Sequence, residues 1–330
     1  PDDVMPFLEN VLRGRNVPRE RMLEVAEHYH HFGGKSPINE QNLALLAALR
    51  EELDLRGPHL PVYWGNRNWH PLLTDTLRQM ADDGVRRAVA FVTSAYSSYS
   101  GCRQYRENIA SAAAPLGERA PQVDKIRVFF NHPGFVEPMA ERVRQALERL
   151  GVRPIPGDGA SAPAAGTMVL FTAHSIPTSM ADGCRYVAQL TEASRLVAEH
   201  AGAPAWRLVF QSRSGPPTQP WLEPDVCDAI RELHANGVRQ LVITPIGFIS
   251  DHMEVLYDLD TEAADLCREL GIEMVRADTV GTAPPFVAMI RDLIAERHFG
   301  WPDRVAIGSL PASHDVCPLD CCPAPAMRRP

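Results

Sequence analysis

One segment of this chain occurs twice. HPLLTDTLRQMADDGVRRAVAFVTSAYSSYSGC, beginning at His70, aligns without a gap with EPDVCDAIRELHANGVRQLVITPIGFIS, 153 positions further on. Pro71 meets Pro224, Asp75 meets Asp228, Arg78 meets Arg231, and Gly84-Val85-Arg86 meets Gly237-Val238-Arg239. Each copy has proline in the first turn of a helical pattern, a glycine stop, and then a β-branched apolar run that reads as a strand. A chain that repeats such a unit is expected to fold as two similar α/β halves. HLPVYW, KIRVFF, TMVLFTA, WRLVFQS and IEMVRA are further strand candidates. Helical patterns follow them, and that alternation marks parallel βαβ units, hence a doubly wound parallel sheet in each half. The run GVRPIPGDGASAPAAG, residues 151–166, is rich in Gly, Pro and Ala and reads as the join. The expected organisation is a first half over residues 1–153, a second over 154–302 and an extension over 303–330. No clear strand precedes VMPFLENVLRG, so the opening strand of the first half is expected upstream of Pro1.

Composition removes several classes of function. A net charge of -8 and a pI near 5.9 argue against nucleic acid, whose phosphates demand a basic face. No apolar run approaches the roughly 18 residues of a membrane-spanning helix, and no basic segment followed by an apolar core opens the chain. These features point to a cytoplasmic setting. In that reducing compartment the seven cysteines are not expected to form disulfides.

Chemistry is concentrated where the second copy ends. In DHMEVLYDLDTE, helical spacing puts Glu254, Asp258 and Glu262 on one face as a ladder of carboxylates. Successive rungs of an α-helix lie roughly 6 Å apart along its axis and drift by about 40° around it. Hard oxygen ligands at that pitch suit the passage of a divalent metal. A lone acidic run is usually a solvated helix face, but this one starts straight after the buried-strand pattern LVITPIGFIS, at the sheet edge where open α/β folds place their sites. TMVLFTA likewise ends in His174. By the repeat, Ser250-Asp251-His252 corresponds to Ser97-Ser98-Tyr99, so both loops are expected to face a shared cleft, and Glu254 falls opposite Gly101.

With these residues the chain resembles the ferrochelatases over nearly its whole length, and most closely their actinobacterial, coproporphyrin-using branch. The matching segments are PFLENVLRGR, HYHHFGGKSPIN, TSAYSSYSGCRQYREN, FTAHSIP, FQSRSGPPTQPWLEPD and PIGFISDHMEVLYDLDTE. The resemblance implies two Rossmann-like halves around a porphyrin cleft, and insertion of Fe(II) into a free-base porphyrin with loss of two pyrrole protons. It implies coproporphyrin III and Fe(II) as substrates, a monomer, and transient contact with neighbouring enzymes of haem synthesis. The residue chemistry agrees: Fe(II) accepts imidazole and carboxylate without the tight grip of several thiolates, and imidazole and carboxylate are both groups that can act as a base. The sequence does not say which of the two binds metal and which takes the proton.

By motif match, Ser36, Tyr105 and Ser212 resemble porphyrin-contacting positions. Arg13 and Arg15 are expected to meet propionates, since guanidinium binds carboxylate through two parallel hydrogen bonds. His28, His30 and His31 end a helical pattern and point in different directions, which does not favour a shared metal. The resemblance places a proximal ligand, known in part of the family, upstream of Pro1.

The cysteines carry a second signal. Cys317, Cys321 and Cys322 in VCPLDCCP, with Cys102 far away in the chain, supply the four thiolates that a [2Fe-2S] cluster requires. The resemblance supports that quartet, because cluster-bearing ferrochelatases combine one internal cysteine with three in a C-terminal extension. Zinc is the rival, since four thiolates also suit it. Cys184, Cys227 and Cys267 sit in helical patterns and read as small core residues. Two rivals come from other classes. A non-enzymatic haem or porphyrin carrier gains nothing from an acid ladder, and an iron-sulfur electron carrier leaves His174 and the carboxylates idle. Among enzymes, the alternative is a protoporphyrin IX ferrochelatase.

Overall fold

Six strands, all parallel, form two sheets in the computed structural model, which describes residues 2–11, 19–153, 166–215 and 218–324. In the first half β1 (Arg87–Ala90) pairs with β2 (Gln122–Lys125). In the second half β3 (Thr167–His174), β4 (Trp206–Gln211), β5 (Gln240–Thr244) and β6 (Glu273–Arg276) lie in the order β4-β3-β5-β6. Val169, Leu170, Phe171 and Ala173 of β3 are fully buried, as a central strand covered on both faces requires. One face of this sheet packs with the helices Pro133–Arg149, Tyr186–Ala201 and Pro284–Phe299. The other packs with Val226–Ala235 and the helical segment that carries the acid ladder. The second half is thus a doubly wound sheet, and the crevice at the carboxyl ends of its strands is the expected place for a site.

The repeat is visible in three dimensions. The helices Leu73–Asp82 and Val226–Ala235 begin and end at equivalent positions, and β1 starts opposite β5. Gly84 and Gly237 close the two helices with φ of 79° and 89°, a conformation glycine adopts without a Cβ penalty. The peptides before Pro71 and Pro224 are both cis.

Two expected strands differ from expectation. HLPVYW runs extended but pairs with no strand, and the ladder of β2 stops at Lys125, leaving the rest of KIRVFF as a buried extended run. A cavity of about 440 Å³ separates Leu60–Trp64 from β1 and is lined by Leu49, Leu53, Leu77 and Met80. By the repeat it lies where β3 lies in the second half, between β4 and β5, so Leu60–Trp64 has no strand beside it and β1 pairs on one side alone among the described residues.

The last helix, Pro284–Phe299, packs back onto the first half. Arg291 bonds Glu52, Arg297 bonds Asp124, and the buried guanidinium of Arg127 meets Glu296 at 2.8 Å. Beyond it the tail is stitched to both halves. Asn131 donates to the Leu310 carbonyl at 2.7 Å, and the Ser309 hydroxyl bonds Glu192 at 3.0 Å. Among the described residues no helix is long and apolar enough to cross a membrane.

Candidate active site

His174 is the last residue of β3, and in the parallel register it sits beside Gln211, the last residue of β4. Its Nδ1 lies 2.5 Å from the Ser175 carbonyl oxygen. A carbonyl only accepts, so Nδ1 carries the ring proton, and in the neutral imidazole the lone pair is on Nε2. Ser175 is itself held in place: its N–H donates to the Gln211 carbonyl at 2.7 Å and its hydroxyl to the Leu222 carbonyl at 2.9 Å. The Tyr186 hydroxyl donates to the carbonyl of His174 at 3.1 Å. Nε2 faces Oε2 of Glu254 at 3.6 Å. The glutamate comes from the loop after β5, where His252 caps the first turn by accepting from the Glu254 N–H at 3.2 Å. Two acceptors facing across this gap, both partly open to solvent, are arranged to share a cation or a proton.

The ladder runs onward from Glu254. Residues Met253–Val255 are α-helical and Leu256–Ala263 form a π-helix, with i→i+5 bonding. Positions four apart share a face in either winding, so Glu254, Asp258 and Glu262 lie on one side while Val255, Leu259 and Ala263 form a buried row beside them. The first half has a π turn near the equivalent place, Tyr99–Arg103, which carries Cys102. Glu254 and Glu262 are exposed and Asp258 between them is half-buried. Burial, reinforced by the charges of Glu254 and Glu262, pushes the Asp258 carboxyl up to about 6, although Ser212 and Gln211 bond to it. Burial also raises Glu262, with Asp225 adding to the effect.

Ser212, matched by motif to the substrate, donates its hydroxyl to Asp258. Its φ of 61° is unusual for a non-glycine residue and turns the chain at the end of β4 toward the ladder. Ser36 accepts from the Ile38 N–H at 3.4 Å, at the start of the helix Ile38–Arg56. Gln41 of that helix bonds Asp251, accepting from its N–H at 2.8 Å, so the first half reaches the loop that presents Glu254. Tyr105 lies under Arg67, whose guanidinium is 4.4 Å from the ring centroid. No hydrogen bond or ion pair among the described residues joins Ser36 or Tyr105 to the His174–Glu254 pair. Arg13 and Arg15 fall outside the described residues.

The two loops matched by the repeat are held by contacts between the halves. Tyr96 donates to the Ile246 carbonyl at 2.9 Å, and Gln189 bonds both the N–H and the hydroxyl of Ser97. Two further residues enter the site. Gln211 donates to Asp258 at 3.3 Å and to the Glu254 carbonyl at 3.4 Å; its signal was a polar residue closing the buried run WRLVF. Tyr29 lies near enough to Glu254 for that charge, after burial, to help push its hydroxyl up to about 12. Tyr29 lies within HYHHFGGKSPIN, a segment already matched to the family, but no spacing in the sequence relates it to Glu254, which is far away in the chain.

The cysteines also converge. Cys102 and Cys322 are both 3% exposed. Hydrogen bonds from Cys317 and Cys322, with Lys125 nearby, hold the Cys102 thiol far below its ordinary range, and the same bonds push its two partners up. The sulfurs of Cys321 and Cys322 are 3.6 Å apart. Adjacent cysteines can reach one centre only if the backbone turns sharply between them, and Cys322 adopts a left-handed φ of 52°. Four thiolates gathered in this way are a donor set of the kind that a metal centre takes. Cys184 is not helical: it lies in the turn before Tyr186–Ala201, where its neighbour Gly183 packs on Pro323 of the tail.

The family model described as ferrochelatase matches residues 1–298 and so takes in both faces of the site. A protein named ferrochelatase from Rhodopirellula baltica is 61% identical over 322 residues, covering 97% of this chain and 89% of that one. A protein named coproporphyrin III ferrochelatase from Streptomyces coelicolor is 53% identical over 350 residues, covering 99% and 91%. Among solved structures, SirB from Bacillus subtilis with Fe3+ aligns with a TM-score of 0.54 at 14% identity, over 79% of this chain and 91% of that one. That last likeness concerns the fold alone. The sequence matches run through His174, Glu254 and the acid ladder together, and on that ground this chain belongs to the ferrochelatase family.

Proposed function

We propose that this chain inserts Fe(II) into coproporphyrin III, releasing two pyrrole protons. The observation that carries the reading is the His174 Nε2 and Glu254 Oε2 pair, 3.6 Å apart at the crevice of the second half. Glu254 heads the carboxylate ladder, so a metal ion passed from Glu262 through Asp258 arrives at Glu254. His174 then serves as the proton acceptor, because its Nε2 lone pair is fixed toward the same point by the Nδ1–Ser175 contact. Neither residue grips iron as several thiolates would, and the metal must leave for the macrocycle. A carrier protein has no use for this ladder.

Coproporphyrin is favoured by the names of relatives such as the one from Streptomyces coelicolor, which aligns over nearly its whole length. Coproporphyrin has four propionates where protoporphyrin has two. The test is relative turnover of the two free-base porphyrins with Fe(II) under anaerobic conditions. Preference for protoporphyrin IX would replace the proposed substrate and leave metal insertion standing.

We further propose that Cys102, Cys317, Cys321 and Cys322 hold a [2Fe-2S] cluster. Such a cluster, when bound, supplies a one-electron centre and a cross-link between the tail and the first half. The route from Glu262 to the crevice does not pass through it.

A further inference from the structure

The tail site offers a further donor beside its four cysteines. Beside the cysteines stands His314, whose Nε2 is 3.7 Å from the sulfur of Cys321. The ligand atoms of His314, Cys317 and Cys321 all lie within 4.8 Å of one another. The donors differ in depth. Cys102 and Cys322 are buried, Cys317 and Cys321 are half-buried, and His314 is exposed. A [2Fe-2S] cluster takes two protein ligands on each iron, and imidazole replaces thiolate on one iron in some clusters. Buried Cys102 and Cys322 therefore suit the inner iron and Cys317 the outer one. That leaves one outer position, with Cys321 and His314 both within reach of it.

We propose that His314 is an alternative ligand to Cys321 on the outer, solvent-facing iron. This rests on the cluster reading above and extends it, because it predicts a site that tolerates loss of one specific cysteine and no other. Iron accepts imidazole as well as thiolate, and His314 needs no long movement to reach the position. Cys317 faces both Cys102 on the inner side and the His314–Cys321 pair on the outer, so its place is not the one His314 can take.

The test is made on the full chain purified anaerobically, with iron content, visible spectrum and pulsed EPR of the dithionite-reduced protein as readouts. Cys321→Ala is expected to keep its iron and colour, to show the nitrogen coupling of a ligating imidazole that the parent protein lacks, and to shift its reduction potential positive, because a neutral ligand replaces an anionic one. Adding His314→Ala is expected to remove the iron. Cys317→Ala is expected to lose it with His314 intact. A colourless, iron-free Cys321→Ala that is folded by circular dichroism would overturn the proposal, as would a coloured one without nitrogen coupling. If Cys321→Ala does not fold, the combination Cys321→Ala with His314→Cys decides: recovery of the parent spectrum supports position 314 as a ligand position, and failure to recover it counts against. A parent protein without iron-sulfur absorption overturns the cluster reading and this proposal with it, and that outcome is distinct from every variant result.

Discussion

His174, the last residue of β3, and Glu254, in the helical turn Met253–Val255 beyond β5, face each other through Nε2 and Oε2 at 3.6 Å. An arrangement of this kind is stabilised by whatever positive species enters the gap. Glu254→Gln replaces a metal-accepting oxygen with an amide, and His174→Ala removes the lone pair. Each is expected to lower metal insertion by at least about 100-fold, the usual scale for loss of a general base, while porphyrin binding followed by fluorescence quenching persists. Added imidazole is expected to restore part of the rate to His174→Ala and none to Glu254→Gln. Turnover near that of the parent in either variant would remove the pair from the mechanism.

The outer rungs make a different prediction. Asp258 and Glu262 lie behind Glu254 on the same face and concentrate the ion without touching the macrocycle. Asp258→Asn combined with Glu262→Gln should raise the KM for iron and leave kcat at saturating iron close to the parent value. A rate that stays low however much iron is supplied would show that the ladder is not a delivery path. The pH dependence should follow Asp258. Its carboxyl is held at about 6, so iron capture should improve as pH rises through that value and the rung becomes anionic.

The same carboxyl has a cost in stability. In the unfolded chain it ionises near 3.8 and in the fold near 6. Below about pH 4 both states are protonated and nothing is lost. Between pH 4 and 6 the unfolded chain gives up its proton while the fold retains it, so stability falls with rising pH, and above pH 6 the full penalty remains. A shift of about two pKa units corresponds to roughly 3 kcal/mol as an upper bound. Asp258→Asn keeps an oxygen for Ser212 and Gln211 but cannot ionise. Without iron it should be more stable than the parent at pH 7 by roughly 1–3 kcal/mol in urea titrations, with the difference closing below pH 4. Equal stabilities at pH 7 would mean that the site does not strain this group.

Much of this was legible because it is local. The repeat fixed equivalent helices to the residue, and β3 and β5 announced themselves as apolar runs ending at His174 and before Glu254. The i, i+4 spacing found the ladder even though Leu256–Ala263 is a π-helix, since positions four apart align in either winding. What was missed is long-range. Leu60–Trp64 has the composition of a strand, but a strand needs a neighbour, and a cavity lies where the neighbour belongs. Gln41, Tyr29 and Gln211 meet the site from separate elements, and no spacing in the sequence records that meeting. His314 was passed over because it lies outside the CxxxCC motif, and only the folded tail brings it to Cys321.

The tail yields the last prediction. Its end is tied to Cys102 in the first half through Cys317 and Cys322, Arg103 donates to the Leu319 carbonyl at 3.2 Å, and Pro323 packs on Gly183 in the second half. A metal centre at this junction closes a very long loop. In simple chain models such a cross-link removes several kcal/mol of entropy from the unfolded state, although measured gains often fall short. The purified protein should be reddish-brown and bleach under dithionite. Cys317→Ser should lose the colour and unfold at a temperature lower by roughly 5–10 °C, the shift expected for a few kcal/mol in a chain of this size. The His174–Glu254 pair lies on β3 and on the helical turn beyond β5, which the tail does not build, so Cys317→Ser should still bind porphyrin below its melting temperature. A colourless parent protein with one zinc per chain, prepared anaerobically with ample iron, would assign the site to zinc. Colour lost without any change in melting temperature would keep the cluster and remove its structural role.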